Sequence, residues 1–101
     1  MVIFIDNRLV TPKNSIVFRK ETDEWALLFD PDTGNTFGLN LTGAYIWTLL
    51  DGVKSSNDIA LHLSQNFDTG GVIPKNDVDD FLNELEKKGF IKFSNSDLNG
   101  Q

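Results

Sequence analysis

FGLNLTGAYIWTLLDG, residues Phe37 to Gly52, carries one formal charge, Asp51, in a chain whose charged fraction is 24%. The run is shorter than the roughly 18 to 20 apolar residues that a membrane-spanning helix requires. Its periodicity changes partway along. Thr36 to Asn40 reads as a short strand with Phe37 and Leu39 on one face. After Asn40, Gly43, Ile46, Trp47 and Leu50 recur at i, i+3, i+4 and i+7, one face of a helix. Tyr45 and Leu49 add a second apolar row, which predicts a helix buried over most of its circumference. Asn40 or Thr42 is expected to cap its start, and Asp51-Gly52 to end it. A strand that runs directly into a core helix decides the fold.

Upstream, the residues from Ser15 alternate, with Ile16, Phe18 and Lys20 pointing one way and Val17 and Arg19 the other. Trp25-Ala26-Leu27-Leu28-Phe29 is apolar on both faces, the mark of a central strand. Asp30-Pro31-Asp32-Thr33-Gly34-Asn35 between the second and third strands has turn chemistry. A calcium loop counted from Asp30 would need Gly at its sixth position and Glu at its twelfth, where Asn35 and Leu41 stand, so a hairpin turn is the expectation. Downstream, Ser55 or Ser56 is expected to cap a second helix carrying Ile59, Ala60, Leu63 and Phe67. Asp68-Thr69-Gly70-Gly71 ends it, and Pro74 suits the first turn of a third helix reaching about Lys88. Val78, Phe81, Leu82 and Leu85 form its apolar stripe, and Phe90-Ile91-Lys92-Phe93 makes a short closing strand.

The expected fold is therefore α+β and winged-helix-like: a three-stranded antiparallel sheet followed by three helices. The domain is placed at residues 15–93, with an N-terminal extension at 1–14 and a disordered tail at 94–101. The extension opens MVIFID, which lacks the basic start of a signal peptide. That segment is expected to add a strand, either at the first strand's free edge or over the third. The 101 residues suffice for one modest core. A cytoplasmic protein is expected.

Composition removes several chemistries. There is no cysteine and one histidine, His62, so no metal site is expected. No phosphate loop, dinucleotide fingerprint or nucleophile elbow occurs, and no cofactor is expected. His62 follows Asp58 by four residues, which suggests a surface pair. Nothing points to an enzyme.

The winged-helix order raises a second possibility, a DNA-binding or transcription-regulatory protein. Against it, the net charge is −6, and neither nucleic acid nor a membrane surface is an expected partner. The third helix sets Lys75, Lys87 and Lys88 against Asp77, Asp79, Asp80, Glu84 and Glu86. The second helix has no Lys or Arg from Ser55 to Phe67. A helix with that charge would press acids against phosphates.

A binding module remains, and a sheet edge is its natural site. With the strands in sequential order, Thr36 to Asn40 is an edge that offers unpaired N–H and C=O groups to another chain. Gly38 either lets a foreign backbone approach or marks a bulge. If the third helix borders that edge, the two form a groove.

LNLTGAYIWTLLDG, preceded by the Trp25–Phe29 strand and followed by Asp58-Ile59-Ala60, resembles the PqqD family of pyrroloquinoline quinone biosynthesis and its relatives. Leu39, Asn40, Gly43, Ala44, Ile46, Trp47, Leu50, Asp51 and Gly52 fit the family's pattern, and Asp77 to Ile91 resembles its last helix and closing hydrophobic. The likeness covers about residues 15–93. It implies a RiPP recognition element, a non-catalytic peptide chaperone that binds the leader of a ribosomally made precursor peptide. In the family the leader adds as a strand and is presented to a modifying enzyme, often of radical SAM/SPASM type. By position, Thr36, Phe37, Gly38, Leu39 and Asn40 would form the pairing edge. Val78, Phe81, Leu82 and Leu85 would form the groove's apolar side. Asp77 and Glu84, flanking Phe81, would meet a basic leader residue, unless Glu84 pairs with Lys88 at i+4.

Overall fold

In a computed structural model of the chain, residues 8–67 and 74–94 are described. The sequential sheet expected from the alternating pattern is present: β2 (Val17–Lys20), β3 (Trp25–Phe29) and β4 (Thr36–Asn40) form an antiparallel sheet in that order. Three helices follow, α1 (Leu41–Thr48), α2 (Ser56–Asn66) and α3 (Lys75–Lys87). The MVIFID segment, the Asp68–Gly71 loop and the tail beyond Ser94 lie outside the described residues.

The stretch read as an N-terminal extension contributes a strand of its own. β1 (Leu9–Pro12) pairs antiparallel with β5 (Ile91–Ser94), Val10 facing Phe93 and Pro12 facing Ile91. On its other side, the Val10 N–H donates to the Lys54 carbonyl, and the Gly52 N–H donates to the Val10 carbonyl. β1 is thus gripped between the closing strand and the α1–α2 connection, and Val10 is completely buried. Four residues ending in proline are too short to declare a period, which is why alternation did not reveal them.

One face of the β2–β3–β4 sheet builds the core. Ala26 pairs with Leu39 and Leu28 with Phe37. Ala26, Leu28 and Leu39 are buried with Ile46 and Leu50 of the α1 region, Ile59, Ala60 and Leu63 of α2, Val78, Leu82 and Leu85 of α3, and Phe90. The other face carries Val17, Trp25, Leu27 and Phe29. Trp25 is half exposed and Phe29 over a third exposed. Two apolar faces did identify the central strand, but only one of them is covered.

The helices begin where side chains can replace missing backbone partners. Asn40 caps α1, its Oδ1 accepting the Gly43 N–H at 2.8 Å. Ser55 caps α2 in a reciprocal box: its Oγ accepts the Asp58 N–H, and the Asp58 carboxylate accepts the Ser55 N–H. Asp58 is thereby drawn to the helix start. Pro74 stands one residue ahead of α3 as its cap, not inside its first turn.

The Asp30–Asn35 segment is a hairpin turn, with the N–H groups of Thr33 and Gly34 donating to the Asp30 carbonyl and Gly34 at φ 80°. Its Asp30 side chain is buried. That carboxylate accepts from Lys13 Nζ at 2.9 Å and from the Asp32 N–H at 2.9 Å. Ser15 Oγ donates to Asp32 at 3.1 Å. The cluster ties the β1–β2 connection to the turn that precedes β4. The Lys13 bond, with help from the Asp32 N–H, holds the Asp30 carboxyl below its ordinary range despite opposing desolvation, and Asp30 in turn holds Lys13 above its own.

Asp30 is depressed in the fold, so its contribution is complete above the ordinary carboxylate range and is lost as pH falls through its folded value. Lys13 is raised, so its contribution is complete below the ordinary lysine range and is lost as pH rises through its folded value. Asp30→Asn is expected to flatten the acid limb of a stability–pH curve measured by urea unfolding. A limb of unchanged slope would remove this role. Ser55→Ala should lower unfolding free energy by about 1 kcal/mol, read from the urea midpoint at constant m-value.

Candidate functional site

The hydrogen-bond phase of the sheet determines which groups of β4 face outward. At one hairpin the Glu21 N–H donates to the Trp25 carbonyl at 2.9 Å, and at the other the Asp30 N–H donates to the Asn35 carbonyl at 2.9 Å. Bonded and non-bonded pairs alternate along an antiparallel ladder. With the observed registers, Trp25, Leu27 and Phe29 bond toward β2, and Ala26 and Leu28 bond toward β4. Phe37 and Leu39 therefore spend their backbone groups on β3. The N–H groups of Thr36, Gly38 and Asn40, with the carbonyls of Thr36 and Gly38, point away from the sheet. Among the described residues no strand lies beyond β4. Among the described residues the expected edge is uncovered, and only its alternate residues have backbone groups facing outward.

The apolar side of the groove is narrower than the stripe of α3 suggests. Leu82 and Leu85 are completely buried and Val78 is 1% exposed. Leu82 and Leu85 present no surface to a ligand in this structure, because the same stripe must also close the core against α2 and the sheet. Phe81 is the member at the surface. Its ring meets Phe37 of β4 edge-on at 6.2 Å, and Phe37 in turn meets Phe90 at 6.0 Å. Phe81 also lies against α1: a Cβ at Gly43 would stand 3.3 Å from its Cζ. The absence of a side chain at Gly43 is what lets α1, β4 and α3 converge here.

At the Asn40 end of the edge, this convergence leaves a cavity of about 380 Å³. Ile46, Leu63, Phe67, Val78 and Phe81 give it apolar walls, and Asn40 and Asp77 stand on its lining as polar groups. Val78, though nearly inaccessible from outside, thus forms part of a wall. Glu84 lies farther along α3 and is 3.7 Å from Lys88, the i+4 pair allowed by the sequence. Asp77 is left as the carboxylate of this site. A wider hollow of about 560 Å³ is lined by Lys13, Asp32 and Lys92 among others. Lys13 there is already committed to Asp30 and Asp32, at 2.9 and 3.3 Å, which leaves little charge to offer a ligand.

Residue patterns alone missed Ile46, Leu63 and Phe67 as walls of a cavity, since each satisfies a core periodicity. They also missed Trp25. A Cβ on Gly38 would lie 2.6 Å from Trp25 Cζ2, so the indole lies across Gly38. That contact explains the strand glycine without a bulge, and could have been foreseen once Trp25 was placed diagonally across the ladder from Gly38. Among the described residues no group of three or more His, Cys, Asp or Glu could hold a metal ion, and no helix is long and apolar enough to cross a membrane.

The fold and its sequence have relatives. Among solved structures, one described as TbiB1 in complex with the TbiA(beta) leader peptide is 26% identical, with a TM-score of 0.68, covering 81% of this chain and 94% of that one. A lasso peptide synthetase B1 complexed with its leader peptide is 23% identical, with a TM-score of 0.67, covering 82% and 96%. The heterocyclase TruD shares the fold at 16% identity and a TM-score of 0.62, the match covering 91% of this chain but 12% of that enzyme. Among curated protein sequences no significant match was found. The family model for coenzyme PQQ synthesis protein D matches residues 26–91, from the central strand through all three helices to the start of the closing strand. The chain belongs to the PqqD family.

Proposed function

We propose that this protein is a non-catalytic recognition module that binds the leader of a ribosomally made precursor peptide as an added strand on β4. The observation that carries the reading is the open edge with outward amides at Thr36, Gly38 and Asn40, ending in the apolar cavity beside Phe81. Two structural neighbours are seen with leader peptides, which supports the same class of ligand here. Family membership supports a role beside a modifying enzyme, and the partner we propose is of radical SAM/SPASM type.

The energetics suit a sequence-tolerant grip with one strong anchor. Each edge hydrogen bond contributes about 0.5 to 1.5 kcal/mol net. An apolar side chain seated in the cavity would contribute about 1.5 to 3 kcal/mol. Ordering a disordered leader opposes these by about 2 to 5 kcal/mol. Asp77 at the cavity favours a leader with a lysine or arginine near the anchor. The net charge of −6 disfavours acidic leaders and works against the DNA-binding alternative.

The test is a pull-down from source cells under anaerobic conditions with the wild type, Thr36→Pro and Phe81→Ala, each first confirmed as folded. Proline at Thr36 removes one outward donor and places its ring toward an incoming strand. A short peptide and an iron–sulfur enzyme should be recovered with the wild type. Affinity for the peptide should fall about fivefold or more with Thr36→Pro and at least as far with Phe81→Ala. Binding should change little with salt. Recovery of DNA with a steep loss on raising salt would overturn the proposal, as would a peptide indifferent to both substitutions.

A further inference from the structure

The phase of the β4 edge has a second consequence, on the sheet face away from the groove. Side chains alternate between faces, and those of Thr36, Gly38 and Asn40 lie opposite to the buried Leu39. These are the residues whose backbone groups face outward. In an antiparallel ladder, two residues that exchange hydrogen bonds stand directly opposite each other with side chains on the same face. A strand added to β4 would therefore turn its bonded residues toward the outer face and its intervening residues toward the groove. Such a strand would present side chains to two faces, and the groove is only one of them.

On that outer face, the place opposite an incoming residue at Gly38 is not bare. Trp25 starts from β3, paired with Asn40, and leans diagonally so that Cζ2, Cη2 and Cε2 come within 2.6 to 3.4 Å of where a Gly38 Cβ would be. The six-membered part of the indole thus occupies the side-chain space of β4 itself, next to the open edge. It does so while 50% exposed, and it adjoins an apolar face that includes Val17 at 49% and Phe29 at 39% exposure. An exposed tryptophan laid across an edge glycine leaves indole surface beside the lane of an added strand.

We propose that Trp25 is a specificity-determining residue for the bound peptide: the leader residue paired with Gly38 packs a large apolar or aromatic side chain against its indole. The inference rests on strand addition at β4 and names a feature of the leader that the groove does not select. The preferred leader has an apolar anchor pointing into the α3 groove and a second apolar residue, an odd number of positions away, pointing to the outer face. Small or acidic residues at the second position lose the indole contact.

The test uses random linear peptides displayed on phage and selected against the wild-type protein. Each residue of the tightest recovered peptide is replaced by Ser in turn, and affinities are measured for the wild type, Trp25→Ala, Trp25→Phe and Thr36→Pro. The wild type should show one position, of opposite parity to the groove anchor, where Ser weakens binding about tenfold. At that position Trp25→Ala should lose less than about twofold, and Trp25→Phe should keep most of the preference. In the wild type, the Trp25 indole Nε1–H resonance, assigned with Trp25→Phe, should shift on adding peptide. That readout holds even if Trp25→Ala fails to fold. If Thr36→Pro abolishes binding while the Ser profile is the same with and without Trp25 and the indole resonance stays fixed, the Trp25 role is wrong and strand addition stands. If Thr36→Pro binds as the wild type does, or no peptide is recovered, both are wrong.

Discussion

β3 can satisfy each residue's backbone on one side only, and this constraint organises the β4 edge and the proposed site on it. Its odd residues bond to β2 and its even residues to β4, a phase set at both hairpins by the Glu21 N–H on the Trp25 carbonyl and the Asp30 N–H on the Asn35 carbonyl. Shifting either hairpin by one residue would invert every side chain of its outer strand. At the β3–β4 hairpin, such a shift would put Leu39 in solvent and turn different amides toward the edge. The buried Asp30, held by Lys13 and by the turn backbone, therefore does more than stabilise a loop. It braces the turn whose backbone bond, from the Asp30 N–H to the Asn35 carbonyl, belongs to the register that turns Thr36, Gly38 and Asn40 outward.

The same economy governs the apolar side. α3 has one stripe, and the core takes most of it: Leu82 and Leu85 have no exposed surface. Phe81, at the margin, links Phe37 of β4 to the first turn of α1 beside Gly43. A residue that joins three elements is held by packing and is pre-organised, so little order has to be gained there on binding. The core and the cavity share Ile46, Leu63 and Val78. Changes inside the fold should therefore be felt at the site.

The three-stranded order, the cap at Asn40, the α1 helix and the open edge were legible in the residues, because alternation, the switch to a helical period and turn chemistry all agree there. The family likeness rested on the same stretch. Less legible was anything that depends on which of two uses a residue is put to. Val78, Phe81, Leu82 and Leu85 share one period, and only three-dimensional packing separates the half-buried Phe81 ring from its buried neighbours. β1 was hidden by its length, being a four-residue strand held by partners more than forty residues away. Trp25 looked like part of a doubly buried strand, whereas its face is open and its indole covers Gly38.

Amide hydrogen exchange resolved along β4, with and without a bound peptide, tests the central claim most directly. In the free protein, Phe37 and Leu39 should be protected by their bonds to β3, while Thr36, Gly38 and Asn40 exchange readily. With peptide bound, the latter group should become protected in the same alternating pattern, since only a paired strand can reach alternate amides and leave their neighbours unchanged. Protection confined to the cavity residues of α1 and α3, with Gly38 exchanging as before, would contradict strand addition at this edge.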